Sequence, residues 1–288
     1  TKEEALNILR ENEENHKDIE LSMVKKGPKA YSTAGWLGLS DKEISETIKD
    51  MQAQGFDCFK MKVGQNLDYD KERLSFIRSI IGDESRLMLD CNQVWGVDEA
   101  INYMTELKQF NPVWIEEPTA RDDVQGHIKI SNALKKFNIQ VASGEQVPSP
   151  VIFKQLLQSK AIGFCQIDAS RLGGVNDVMA VILLAKKFNI PVCPHGGGIG
   201  LCNMIVHYAI WDQVKVASHS NNQVVEYLEF LQDEVFLHPI QVKDGHYITP
   251  KSYGWGLEMK KEFFHSHVYP TGDVWKDRVD SGSITFLP

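Results

Sequence analysis

The chain has no pairing pattern for its few cysteines. Cys58, Cys91, Cys165, Cys193 and Cys202 make five in 288 residues, an odd number with no C-x-x-C spacing. They read as reduced thiols in a reducing compartment, packed as small hydrophobes rather than as a disulfide framework. No apolar run is long enough to span a bilayer, and the opening stretch "TKEEALNILRENEENHKDIE" carries no signal-peptide pattern. No basic stretch stands out against a formal net charge of −8, which argues against nucleic acid or an anionic membrane as partner. Neither G-x-G-x-x-G nor G-x-x-x-x-G-K-[ST] occurs, and this weakens an open doubly wound sheet. G-x-S-x-G is missing too, so the "HGGG" at 195–198 does not lead to a hydrolase oxyanion loop.

What is present is a soluble globular composition, 42% hydrophobic and 24% charged, and a clear rhythm. Residues 1–28 read as a polar helical lead-in. "AYSTAGWLGLS" reads as a strand entering a loop, and Ser40 as the cap of the helix "DKEISETIKDMQAQG". Apolar strands then alternate with amphipathic helices. The strands are "DCFKMKVG", "SRLMLDCNQ", "VWIEEP", "IQVASGEQ", "GFCQIDASRLGG", "IPVCPHGGG" and "QVKVASHS"; the helices fall near 68–81, 97–110, 124–137, 150–159, 175–188 and 200–210. Such alternation implies a parallel sheet. Eight strand candidates in about 200 residues suit a (β/α) barrel, which typically takes about 250. The expected organisation is the lead-in, a barrel catalytic domain over 29–235, and a segment over 236–288 of short strands and turns that packs outside the barrel. Its last residues, "DSGSITFLP", read as a poorly ordered end.

Ionisable residues recur at the ends of these strands. Lys62, Asp90, Glu116, Glu145, Asp168 and His195 follow one another at gaps of 28, 26, 29, 23 and 27 residues, each about one βα unit. In a barrel that spacing brings all six to one mouth, where barrel enzymes place their chemistry. Asp90, Glu116 and Glu145 would repel one another without a cation. An all-oxygen trio with no Cys or His points to Mg²⁺. The bland alternative is that each acid caps a helix or pairs with a lysine.

"FKMKVG" places Lys60 and Lys62 on one side of a core strand, since side chains alternate. Facing the metal, two ammonium groups depress one another, and a neutral amine is a competent base beside a carboxylate. The alternative is an exposed edge strand guarded by lysines. Asp168 beside His195 fixes the imidazole tautomer and favours its protonated form, making His195 a general acid. Asn92 and Glu226 are lesser candidates for binding substrate, and Glu229 competes with Glu226. Glu117 is expected to point away from the metal, and Cys91 outward.

Taken together, "KMK", "DCN", "WIEEPT", "SGEQ", "QIDASRLGG" and "PHGGG" resemble the enolase superfamily in its mandelate racemase-like subgroup, and within it the L-fuconate dehydratases. The resemblance implies a modified (β/α)₇β barrel under an α+β capping domain. Most of that cap would precede Thr1, and the C-terminal segment would contribute to it. It implies Asp90, Glu116 and Glu145 as Mg²⁺ ligands, Lys62 as the proton-abstracting base, and Asp168 with His195 as the acid dyad. Lys60, Asn92, Glu226, His195, Gly196 and Gly197 would contact substrate. The "PKSYGWGLE" turn and the "SGSITFLP" tail depart from the family pattern.

The implied reaction is removal of water from a sugar acid, L-fuconate first, through an enediolate to a 2-keto-3-deoxy acid. A racemase or epimerase using the same Lys62 and His195 is the rival within the class. A non-catalytic truncated isoform is the rival outside it, because an uncapped mouth stays wet. The resemblance implies a soluble mitochondrial or cytoplasmic protein and leaves a homo-oligomer open. Titration with a thiol reagent in denaturant, without reductant, should count all five cysteines; a lower count would reveal a disulfide.

Overall fold

The computed structural model describes residues 1–11, 16–217, 222–228, 232–251 and 253–284. Two helices lead in, α1 (Lys2–Glu11) and α2 (His16–Lys26). Seven parallel strands follow: β1 (Ala30–Gly35), β2 (Cys58–Lys62), β3 (Arg86–Asp90), β4 (Trp114–Glu116), β5 (Gln140–Ser143), β6 (Phe164–Cys165) and β7 (Val225–Tyr227). They form one sheet in the order β6-β5-β4-β3-β2-β1-β7.

The segment 192–195 joins the two ends of this sheet. Cys193 N donates to Cys165 O at 2.8 Å and His195 N to Ile167 O at 2.9 Å, while Glu226 N donates to Pro194 O at 3.2 Å. Eight strand positions thus close a barrel. The expected strand "IPVCPHGGG" is present only as this irregular segment, because Pro191 and Pro194 have no N–H to give to a ladder.

Between the strand positions run α3 (Asp41–Ala53), α4 (Leu67–Ile81), α5 (Val97–Leu107), α6 (Val124–Leu134), α7 (Pro150–Gln158), α8 (Val175–Lys187) and α9 (Leu201–Trp211). Seven helices for eight strand positions is the (β/α)₇β pattern. The helices start where capping residues stand. Ser40 and Glu43 exchange hydrogen bonds in a capping box, Asn66 caps α4, and Ser149 caps α7 ahead of Pro150. On α3 the apolar stripe Ile44, Ile48 and Met51 is buried against the sheet.

Inside the barrel, each strand position contributes one side chain to a floor: Tyr31, Cys58, Met88, Trp114, Ala142, Phe164, Cys193 and Val224. Trp114 lies edge-on to Tyr31 with centroids 5.9 Å apart and tilts against Phe164 at 4.8 Å. This layer seals the barrel beneath the polar rim. All five cysteines are free and buried, as small hydrophobes.

Over residues 213–217, "QVKVASHS" is not a strand. Asp212–Val216 continues α9 as a π-helical turn, with Ala217 N donating to Asp212 O at 2.7 Å. Its alternating valines mimic a strand, yet both are buried in this turn, and Lys215 reaches His16 Nδ1 at 2.9 Å. Residues 218–220 lie outside the described residues. The last barrel strand is β7, in "VVEYLEF".

Among the described residues only the four-residue helix α10 (Gln232–Val235) separates β7 from the next strand. A hairpin of β8 (Val242–Lys243) and β9 (His246–Tyr247) lies against this part of the barrel wall. Ala30 N donates to Gly245 O and Gly245 N to Gln54 O, each at 2.9 Å. Tyr247 is buried against Tyr227, and its hydroxyl donates to Glu226 O. The tail after residue 235 also carries α11 (Lys261–His267) and α12 (Asp273–Asp280), so beyond residue 260 it is helical rather than short strands. Of the expected loose end, α12 covers Asp280, and residues 285–288 lie outside the described residues. Among the described residues no helix is long and apolar enough to cross a membrane.

Asp212 offers a test of this packing. It is 3% exposed and accepts from Gln223 Nε2 at 2.5 Å, and burial pushes its carboxyl up to about 7. Its folded value lies above the unfolded one, so its contribution is fully present below about pH 4 and is lost as pH rises towards 7. Relative to Asp212→Asn, the wild type should lose on the order of 4 kcal/mol across that window and then level off. Melting curves that keep a constant difference from pH 4 to 8 would refute this.

Candidate active site

Parallel pairing aligns the polar strand ends. Lys62 of β2 lies in register with Asp90 of β3, and Asp90 with Glu116 of β4. Residues in register share a face, so the three side chains stand in a row at the C-terminal rim. Glu145 follows β5 by two residues. One oxygen from each of Asp90, Glu116 and Glu145 lies within 4.8 Å of the others, and all three residues are buried.

Like charge at this density needs an opposite charge. Burial and the neighbouring Asp90 carboxylate push Glu116 well above the usual carboxylate range, against the pull of Lys60. Burial alone would raise Asp90 as well, but Lys60 and Lys62 hold it below its ordinary value. Glu145 Oε2 is buried without a hydrogen bond; His195 Nε2 faces it at 3.1 Å as an ion-pair partner only. An all-carboxylate donor set with an unsatisfied buried oxygen fits a hard divalent cation such as Mg²⁺.

Lys60 is 1% exposed and lies between the aromatic floor and the rim. Its amine meets Glu116 at 2.8 Å, Glu226 at 3.0 Å and Asp90 at 3.5 Å, with the Tyr31 ring 5.4 Å away. Burial alone would lower this amine; the carboxylates of Glu116 and Glu226 keep it well above its ordinary value. Lys60 therefore stays charged. Glu226 is equally enclosed: Oε1 accepts from Thr33 Oγ1 at 2.6 Å and Oε2 from Gly196 N at 2.9 Å.

Lys62 stands on the Asp90 flank of the triad. Its amine donates to Asp90 Oδ2 at 2.5 Å and Asn92 Oδ1 at 2.7 Å, 5.2 Å from the Trp36 ring. Asn92 Nδ2 in turn donates to Glu145 Oε1 at 3.4 Å. On the Glu145 flank stands His195, with Nδ1 2.9 Å from Asp168 Oδ2 and Nε2 3.6 Å from Glu226 Oε2. Burial alone would lower the imidazole, but Glu226, Asp168 and Glu145 hold it above its ordinary value. Asp168 is steadied by Ser170, whose N and Oγ each donate to Oδ1 at 2.7 Å. Gly197 leaves room for the imidazole, since a Cβ there would lie 2.3 Å from Nε2; at Gly196 it would lie 2.8 Å from Glu226 O.

The expected residues therefore meet at one rim. Glu117 turns aside to Gln93, whose Nε2 lies 3.0 Å from both carboxylate oxygens; burial pushes that carboxyl up to about 7. Glu229 lies outside the described residues. Sequence reasoning passed over Gln166, which donates to Glu116 Oε2 at 2.7 Å. Its place two residues before Asp168, on the same face, was the available signal. It also passed over Thr33, Trp36 and Arg73.

A closed barrel with a carboxylate triad between a lysine and a histidine is the frame of an enolase-type barrel. Residues 43–263 match the model of the Enolase C-terminal domain-like family, and the chain belongs to that family. It is 46% identical over 277 residues to Mitochondrial enolase superfamily member 1 of Homo sapiens, covering 96% of this chain and 62% of that protein. Against the crystal structure of the same human protein the TM-score is 0.94, over 96% of this chain and 63% of that one. L-galactonate dehydratase of Hypocrea jecorina is 44% identical over 274 residues, 94% of this chain and 60% of that enzyme. The crystal structure of L-Talarate dehydratase from Polaromonas sp. JS666, complexed with Mg and L-glucarate, aligns with a TM-score of 0.71 at 27% identity, over 82% of this chain and 63% of that one. The chain thus spans less than two thirds of the length of these curated relatives.

Magnesium at a hundred times its Kd should stabilise the protein by about 2.7 kcal/mol, seen as a rise of several degrees in melting temperature. Glu145→Gln should lose most of that rise. An equal shift in wild type and variant would place the ion elsewhere.

Proposed function

We propose that the intact protein is a Mg²⁺-dependent hydro-lyase that removes water from a sugar acid and yields a 2-keto-3-deoxy acid. The observation that carries this reading is the placement of Lys62 and His195 on opposite flanks of one carboxylate triad. An amine and an imidazole so separated can address two neighbouring carbons of one bound molecule.

Asp90, Glu116 and Glu145 would hold the Mg²⁺ ion, whose positive charge stabilises negative charge developing on the substrate carboxylate. Lys62, in its uncharged form, takes the proton at C2, and the C–H electron pair moves towards the carboxylate. His195, protonated and oriented by Asp168, gives its Nε2 proton to the 3-hydroxyl, which leaves as water while the C2–C3 double bond forms. The enol then tautomerises to the ketone. Asn92, between Lys62 and Glu145, is placed to bind a substrate hydroxyl. The floor of Tyr31, Trp114 and Phe164 keeps water from entering below.

L-fuconate, expected from the resemblance, and L-galactonate, named in a relative, share their configuration from C2 to C5 and differ only in the hydroxyl on C6. We infer that this shared configuration is what the site selects. Residues 29–235 are read as the catalytic barrel, with 1–28 and 236–288 as parts of a covering domain. The human relative's name supports a mitochondrial location.

The test is to incubate the intact protein with Mg²⁺ and each of these acids, with D-gluconate as control, and to assay the 2-keto-3-deoxy product. Lys62→Ala should slow turnover by about 10²- to 10⁴-fold; an unchanged rate would remove Lys62 from the role of base. His195→Asn should lose dehydration yet keep deuterium exchange at C2. Exchange without dehydration in the wild type would favour a racemase.

A further inference from the structure

We propose that Arg73 is a positioning residue for Lys62, locking the tips of β1 and β2 so that the amine is presented at a fixed place beside the Trp36 indole. The inference rests on the reading of Lys62 as the base.

Arg73 lies on α4 and is 5% exposed. Among the described residues no carboxylate lies within ion-pair distance of it. Its guanidinium is spent on backbone carbonyls: Nη1 donates to Lys62 O at 2.8 Å, and Nη2 to Gly35 O at 3.2 Å and Trp36 O at 3.1 Å. Asp70, one turn earlier on α4, feels its charge from beyond ion-pair distance, and Nε is buried without a hydrogen-bond partner; a cation so loosely paired is costly to bury, and an apolar side chain would pack a helix on a strand more cheaply. What the guanidinium adds is geometry. Its rigid fork reaches two strands at once, which a lysine cannot do.

The strand ladder supplies only part of that tie. Gly35 at the rim end of β1 pairs with Met61, but a register shift between Ser32 and Gly35 breaks the regular ladder just before it. The turn after β2 is equally in need of support. Gly64 has φ +104, and a Cβ there would lie 2.7 Å from Val94 Cγ2. Only glycine fits, and glycine is the most mobile residue to place beside a base. Asp70, three residues before Arg73 on α4, accepts from Gly64 N at 2.7 Å. One helical face thus holds the turn by its carbonyl at Lys62 and by its N–H at Gly64. The Tyr69 ring lies 5.4 Å from the guanidinium. The result is that Lys62 and Trp36, which is 39% exposed at the mouth, belong to one rigid group with the amine 5.2 Å from the ring.

The experiment compares the intact Mg²⁺-loaded wild type with Arg73→Lys and Arg73→Met, the milder variant serving if the other does not fold. Folding is followed by circular dichroism and melting. In folded variants kcat should fall by about 10- to 100-fold with KM within about twofold, because the loss is of alignment rather than of binding. Independently of turnover, Lys62 should react several-fold faster with an amine-directed reagent, read by peptide mass spectrometry, while Lys71 on the same helix keeps its rate. Unchanged kcat and unchanged Lys62 labelling in folded Arg73→Lys would overturn the proposal. So would a loss of activity no larger than the loss of folded protein. Faster Lys62 labelling in variants of a protein that turns over no sugar acid would support the positioning role while refuting the reading of Lys62 as a base.

Discussion

The enclosed ammonium of Lys60 is the interaction on which the rim depends. Three carboxylates, Asp90, Glu116 and Glu226, converge on it from three strands, and it has no way out to solvent. Each acid taken alone would rise towards neutrality in this setting. Held together by one fixed cation, Asp90 and Glu226 stay ionised, and Glu226 in turn steadies His195 and the backbone of Gly196. The aromatic floor makes the arrangement strong, because it keeps the surroundings poor in water and the charges unscreened. Removing Lys60 would leave the buried carboxylates only Lys62 and His195, which stand on the flanks of the cluster, as counterweight.

The barrel makes such a cluster attainable with short strands. Parallel register gives neighbouring strands equivalent terminal positions, so residues one βα unit apart in the chain become lateral neighbours. Closure runs through the proline-interrupted segment at 192–195 between β6 and β7 and the direct pairing of β7 with β1, with the hairpin of β8 and β9 packed against the wall there. The hairpin is a working part of the site as well as a cover. The Tyr247 hydroxyl fixes the carbonyl of Glu226, whose side chain holds Lys60 and Thr33.

Much of this was legible in the sequence, for a physical reason. A barrel strand buried on both sides reads as an apolar run, and a charged residue closing six such runs at regular intervals has few explanations. Lys62, Asp90, Glu116, Glu145, Asp168 and His195 were visible on that ground. The lateral role of Lys60 was not, because spacing shows which side it faces but not which acids surround it. Arg73 was hidden because its partners are carbonyls, which leave no mark in the residue pattern. Gln166 was hidden because an amide at a strand end is chemically unremarkable until its acceptor is known. The strand expectation failed over 213–217 because Val214 and Val216 alternate as in a strand, while a π-helical turn buries both just as well.

The seam of the barrel has a consequence for how the molecule comes into being. Ala30 pairs with Val225, so 195 residues separate the two edges that must meet. On a ribosome the chain emerges N-terminal end first, and the ring of strands cannot be joined until Val225 is out. Glu226 arrives with the joining strand. Until then Lys60 has only two of its three acids, and Gly196 lacks the carboxylate that accepts its N–H. The electrostatic centre is therefore completed by the same late event that shuts the ring, and a nascent chain stalled before that point would expose a half-neutralised, water-filled trough in place of a site.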